Sequence, residues 1–164
     1  MIEVVVERLE KNHVRDAFDC GEPSLNDYLK RFARQNDAKN LGRTFVACRS
    51  ESVLVAAYYS LSSGSIGFES LPDGRGLPKY PLPTSHIGRL AVDKTAQGFG
   101  LGAHMLIDAL KRSSDISHQI GIFAVTVGAL NDNAKQFYKR YGFEELVDKP
   151  NSLYLSIADV ELVF

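Results

Sequence analysis

Residues 88–110 constrain this chain more than any others. Gly88-Arg89-Leu90-Ala91-Val92 reads as a buried strand and residues 93–96 as a short link. Gln97-Gly98-Phe99-Gly100-Leu101-Gly102 then forms a glycine-rich loop that opens into a helix over 102–110. Without side chains at Gly98, Gly100 and Gly102, the backbone amides there can approach a ligand closely. Free amides at a helix start, reinforced by the helix dipole, make an anion site, and a diphosphate suits it. The same residues would also serve as a tight turn before a helix. No Gly-Lys-Ser/Thr follows, which excludes a Walker loop, and the glycine order is not the G-x-G-x-x-G of dinucleotide sites.

At 164 residues the chain is expected to form one domain, 1–164, with a real core. A net charge of −1 gives no global argument for nucleic acid, so any basic site must be local. No apolar run reaches the length of a membrane span, and Met1-Ile2-Glu3-Val4 does not read as a signal peptide. Cys20 and Cys48 suit a reducing cytoplasm and read as small buried apolar groups rather than ligands. The four histidines are scattered singly, so no metal site is expected.

Strands are expected over 2–6, 44–49, 53–61, 87–92, 121–127, 144–147 and 153–157. Residues 12–18 suggest a short helix. Ser24 looks like the N-cap of an amphipathic helix with Leu25, Tyr28, Leu29, Phe32 and Ala33 on one face. Residues 68–83 hold Pro72, Pro78, Pro81 and Pro83 with Gly74 and Gly76, and read as a long loop. Ala134, Phe137, Tyr138 and Tyr141 share a helix face, and Gly142 ends that helix. The order predicts an α/β fold with one mixed, mostly antiparallel sheet flanked by helices.

Gln97-x-x-Gly100-x-Gly102 resembles the Q/R-x-x-G-x-G/A signature of the GCN5-related N-acetyltransferase (GNAT) family. Asn131-Asp132-Asn133-Ala134-Lys135-Gln136-Phe137-Tyr138, followed by Tyr141-Gly142-Phe143, is similar to a second segment of that family, at the right remove. Phe18-Asp19-Cys20-Gly21-Glu22, Tyr58-Tyr59-Ser60-Leu61-Ser62 and the proline-rich stretch 77–83 resemble the acetyltransferase toxins of bacterial toxin–antitoxin pairs. The resemblance implies a splayed strand pair and acetyl-CoA as donor. Leu90, Ala91, Val92, Gln97, Gly98, Gly100, Leu101, Gly102 and Asn131 would contact the cofactor, and Tyr138 would act as general acid. It further implies an aminoacyl-tRNA as acceptor, a ribbon-helix-helix antitoxin as partner, operator DNA reached only through that complex, no membrane, and a homodimer.

The chemistry fits. A tyrosine hydroxyl, with an ordinary pKa of about 10, can protonate a leaving thiolate, although core packing alone would also place Tyr138 on its helix face. No residue stands out as general base. A lysine acceptor at about 10.4 would need one, whereas an α-amine near 7.7–8.0 is largely neutral already. Lys30, Arg31, Arg34 and Arg89 are the candidate acceptor-binding cations; Lys39 and Arg43 follow the early helix, and Lys135, Lys139 and Arg140 ride on the later one. A solvated helix face, with Asp27 paired to Arg31, accounts for the early ones equally well. Transfer to a small amine or a protein N-terminus, and a non-catalytic role in a repressor complex, remain open on these residues.

Overall fold

The structure is a computed structural model and describes residues 3–72 and 76–164. Ile2 and Gly74, which entered the expectations above, lie outside the described residues. The chain runs β1 (Val4–Arg8), α1 (Pro23–Asp27), a π-helical turn (Tyr28–Phe32), α2 (Ala33–Ala38), β2 (Arg43–Arg49) and β3 (Val55–Ile66). A 3-10 turn (Phe68–Ser70), β4 (Leu82–Val92) and a second 3-10 turn (Lys94–Ala96) follow. Then come α3 (Leu101–Ser117), β5 (Ala124–Gly128), α4 (Asp132–Arg140), β6 (Glu144–Glu145), β7 (Ser152–Ser156) and α5 (Ile157–Glu161). The strand order is β1-β2-β3-β4-β5-β7-β6 in a 7-stranded sheet. The β4–β5 pair is parallel; β1–β2, β2–β3, β5–β7 and β6–β7 are antiparallel. The mixed, mostly antiparallel sheet is therefore as expected.

Contacts divide the chain into two compact units, Met1–Ser62 with Gly88–Ala109, and Ser63–Ile87 with Leu110–Phe164. In the first unit, Tyr58 and Tyr59 are adjacent on β3, so their side chains leave opposite faces of the sheet. The Tyr58 hydroxyl donates to the Leu25 carbonyl at 2.6 Å, and the Tyr59 hydroxyl to Asp108 Oδ2 at 2.5 Å. One face is thus covered by α1 and the π turn, the other by α3, and both tyrosines are fully buried. Leu9, Phe18, Tyr28, Leu29, Ala33, Val46, Val55 and Ala91 complete the core on the Tyr58 side. Cys48 belongs to this core and Cys20 packs at its edge.

In the second unit, Ile66, Leu71, Leu82 and Leu146 cluster with Phe68, Phe123 and Tyr154. Ser85 bonds Ser113 on α3 at 2.8 Å, and the next residue, His86, bonds Thr126 on β5 at 2.8 Å. The β4–β5 ladder runs from Thr84↔Ala124 to Ile87↔Val127. Residues 88–92 of β4 continue beyond that last rung.

Four expectations need correction. Residues 12–18 are not a helix: turns and an isolated bridge, Val14↔Leu54, occupy them. Buried His13 fixes this segment, since its Nδ1 accepts from the Glu10 amide and its Nε2 meets Glu7 Oε1 at 2.7 Å. Ser24 is not the N-cap; α1 starts at Pro23 behind Glu22, whose carbonyl accepts from the Leu25 and Asn26 amides. Proline suits that first helical position because its missing N–H would have no helical partner. Phe32 is 43% exposed rather than buried. The Ala33 amide bonds the Tyr28 carbonyl across the π turn, a five-residue step that rotates Phe32 off the face shared by Leu29 and Ala33. Finally, β4 begins at Leu82, inside the expected loop; Pro83 precedes the first rung with β5, so its missing N–H costs that ladder nothing.

Candidate active site

The first unit carries the glycine loop. The Asp93 amide donates to the Ala56 carbonyl at 2.8 Å, and the Asp93 carboxylate caps the 3-10 turn by accepting from the Thr95 amide at 3.0 Å and hydroxyl at 2.6 Å. Ala96 is fully buried, which seats the turn. Gln97 then spends its side-chain amide on two carbonyls, Val92 at 2.9 Å and Cys20 at 3.1 Å. Its expected contact with a cofactor therefore falls to its backbone and its side-chain oxygen.

Gly98 and Gly100 have φ of 86° and 81°, a region L side chains avoid. A Cβ at either would meet nothing within 4 Å, so backbone conformation, not crowding, demands glycine there. The His104 amide bonds the Gly100 carbonyl at 3.1 Å, making Gly100 the cap of α3. The helix starts at Leu101, one residue earlier than expected, and Leu101 is buried. The amides of Leu101, Gly102 and Ala103 precede the first helical bond and have no acceptor within the helix. They stand at the head of a 17-residue helix, where free amides and the helix dipole favour an anion.

Leading into that loop, Leu90 and Val92 are half-buried and Ala91 is buried in the first core. Arg89 lies with its guanidinium 3.6 Å from the centroid of the Tyr28 ring. It is therefore held against the π turn that also carries Lys30 and Arg31. Lys30, Arg31 and Arg34 are all exposed, and Arg31 pairs with Asp27 at 3.4 Å as expected. Three neighbouring cations, Arg15, Arg8 and Lys11, were missed in the sequence. Arg15 donates to the Leu29 carbonyl at 2.9 Å, and burial together with the charge of Arg34 pushes its pKa down. Arg8 and Lys11 line a groove of about 350 Å³ with Arg34, Glu10 and Asp37. Asp37 is held below the usual carboxylate range: burial opposes this, but Arg8 and Arg43 outweigh it.

The second unit carries Asn131 and Tyr138, at the two ends of α4. Asn131 Oδ1 accepts from the Ala134 amide at 2.9 Å, so the expected cap is present and its amide nitrogen is left to donate. The Tyr138 ring is 7% exposed, between Phe137 and Phe143 at 5.3 and 5.6 Å. Among the described residues no protein group accepts or donates a hydrogen bond at its hydroxyl. Burial alone pushes its pKa up to about 12. Lys135 and Lys139 both bond Glu145, at 3.0 and 2.7 Å, so one carboxylate is shared by two of the cations expected on this helix and offsets part of their charge. Gly142, at φ 95°, ends the helix as expected.

These features have counterparts in known proteins. Residues 26–153 match the acetyltransferase (GNAT) domain family. The chain is 40% identical over 145 residues to a tRNA-acetylating toxin of Mycobacterium tuberculosis, covering 87% of this chain and 86% of that protein. It is 32% identical over 168 residues to a probable toxin TacT of Sinorhizobium fredii, covering 95% and 92%. The structure superposes on AtaT complexed with acetyl-methionyl-tRNAfMet with a TM-score of 0.93 and 30% identity, covering 99% of both chains. With the glycine loop, the capped α4 and a matching family over most of its length, the chain belongs to the GNAT acetyltransferases.

Proposed function

We propose that this chain is a cytoplasmic toxin that transfers an acetyl group from acetyl-CoA to the α-amino group of an aminoacyl-tRNA and so stops translation. Its two compact units act as one acetyltransferase domain, as the family match across both supports. Among the described residues no helix is long and apolar enough to cross a membrane. The AtaT complex with acetyl-methionyl-tRNAfMet supports the acceptor, and AtaTR bound with AcCoA supports the donor. AtaT is also known with the C-terminus of the antitoxin AtaR, and the AtaT-AtaR complex on DNA. By the same reading this chain pairs with a ribbon-helix-helix antitoxin, reaches operator DNA only through it, and works as a homodimer.

The observation that carries the chemistry is the Tyr138 hydroxyl, a protonated phenol with no hydrogen-bond partner among the described residues. Acetyl-CoA supplies an activated thioester. The free amides of Leu101 and Gly102 suit its pyrophosphate, with Gly98 and Gly100 leaving room for close approach. Backbone amides of Leu90, Ala91 and Val92 are the donors for the oxygen that gains negative charge. Asn131 adds a side-chain donor. As the new C–N bond forms and the C–S bond breaks, Tyr138 gives its proton to the leaving sulfur and the amine's proton passes to water. Lys30, Arg31, Arg34 and Arg89 meet the acceptor's phosphates.

The test uses labelled acetyl-CoA and total charged tRNA. Label is expected on the α-amino group of the aminoacyl ester; label on small amines or protein N-termini instead would replace the acceptor assignment.

The pH dependence follows from the Tyr138 value. Because its folded pKa lies above the ordinary 10, the hydroxyl keeps its proton until pH approaches about 12. Single-turnover kcat/KM should rise once, as the acceptor amine loses its proton near pH 7–8, and stay level to about pH 10.5. A fall centred near pH 10 would mean a phenol with an ordinary pKa.

A further inference from the structure

We propose that Asp93, cross-braced by Asp19, is the positioning residue that aims the glycine loop at the cofactor's pyrophosphate. This rests on the reading that the loop takes acetyl-CoA. The loop itself is open, since nothing lies within 4 Å of a Cβ at Gly98 or Gly100. Its direction is therefore set by what holds its two ends. The downstream end is α3. The upstream end is the turn at Lys94–Ala96, and Asp93 is what closes that turn.

The bonds converge on one carboxylate. Asp93 Oδ2 accepts twice from Thr95, and Oδ1 accepts from the Asp19 amide at 2.8 Å. The Lys94 amide returns a bond to the Asp19 carbonyl at 2.8 Å. The Asp19 carboxylate in turn accepts from the Gly21 amide and the Asn26 side chain, both at 2.9 Å, and meets Lys94 Nζ at 3.5 Å. Gln97 closes the brace by donating to the carbonyl of Cys20. Residues 19–20 and 93–97, distant in the chain, are thus locked together just before the loop begins. Asp93 is held below the usual carboxylate range: burial works against this, and the bonds from Thr95 and Asp19 prevail. An ionised carboxylate accepting three bonds gives the brace its stiffness.

The brace reaches α1 only through Asn26, and none of its bonds is to Lys30, Arg31 or Arg34, so its loss should act chiefly on the donor. The experiment measures direct binding of acetyl-CoA by calorimetry, with kcat and both KM values, for the full chain and for Asp93→Ala and Asp93→Asn. Asp93→Ala is expected to weaken acetyl-CoA binding by about 10-fold or more, since small misplacements of a positioned site have effects of that order or larger. The KM for the acceptor and kcat should stay within about twofold, the pattern of lost uniform binding. Asp93→Asn keeps an acceptor oxygen and should recover much of the loss. Thr95→Val removes one bond only, and should weaken binding in the same direction by less, even if Asp93→Ala fails to fold. Unchanged acetyl-CoA affinity in Asp93→Ala, or equal losses for donor and acceptor, would overturn the inference. Absence of acetyl-CoA binding by the unaltered chain would overturn the underlying reading and this inference with it.

Discussion

Replacing Tyr138 with phenylalanine will lower the rate of acetyl transfer by about 10²–10⁴-fold, the usual contribution of a positioned acid. Its hydroxyl has no hydrogen-bond partner among the described residues, so removing it orphans none of them, and stability should change by no more than about 0.5 kcal/mol. The ring contacts with Phe137 and Phe143 survive the substitution. Acetyl-CoA affinity should hold within about twofold, because the group is used only as the sulfur departs. Rapid-quench turnover, calorimetry and urea denaturation on one preparation separate these quantities. A rate loss below about tenfold would return Tyr138 to the core as a packing residue.

The second large effect belongs to Gly100. Alanine there meets no steric obstacle in the free protein, yet must adopt φ of 81°. That conformation costs an L residue about 1–2 kcal/mol. The protein should therefore fold with a modest loss of stability. The added methyl stands where the cradle must be open, so acetyl-CoA binding should fall by about 10–100-fold, well beyond what the stability change explains. Gly102→Ala is the control for strain, since Gly102 is not in the positive-φ region and alanine suits a helix there. If Gly100→Ala binds acetyl-CoA as tightly as the unaltered chain, the pyrophosphate does not sit in this loop.

What the sequence reveals here is what local geometry determines. The glycine loop, the Asn131 cap and the end of α4 at Gly142 depend on residues within a few positions of one another. Tyr138 is buried because a four-residue repeat puts it on the apolar side of α4. The failures share a different cause. Residues 12–18 read as a short helix, but the bridge from Val14 to Leu54 and the buried His13 hold them in turns instead. Helical periodicity assigns Phe32 inward because it assumes an α-helix throughout. The Asp93–Asp19 bond joins residues 74 positions apart, and no local pattern announces it. Only its near half was readable: an aspartate two residues before a threonine is an ordinary side-chain-to-backbone turn signal.

The π turn at Tyr28–Phe32 holds one residue more than an α-helix of the same reach. That surplus residue is spent outward. Tyr28 stays stacked on Tyr58, with ring centroids 6.5 Å apart, and Ala33 stays buried, while Phe32 faces solvent beside Arg31. A chain shorter by one residue here could wind the same segment as a plain α-helix and keep both anchors. It would lose the aromatic side chain displayed among the cations. A gap at this point in an alignment would thus record a change in what the surface presents, with the interior left as it was.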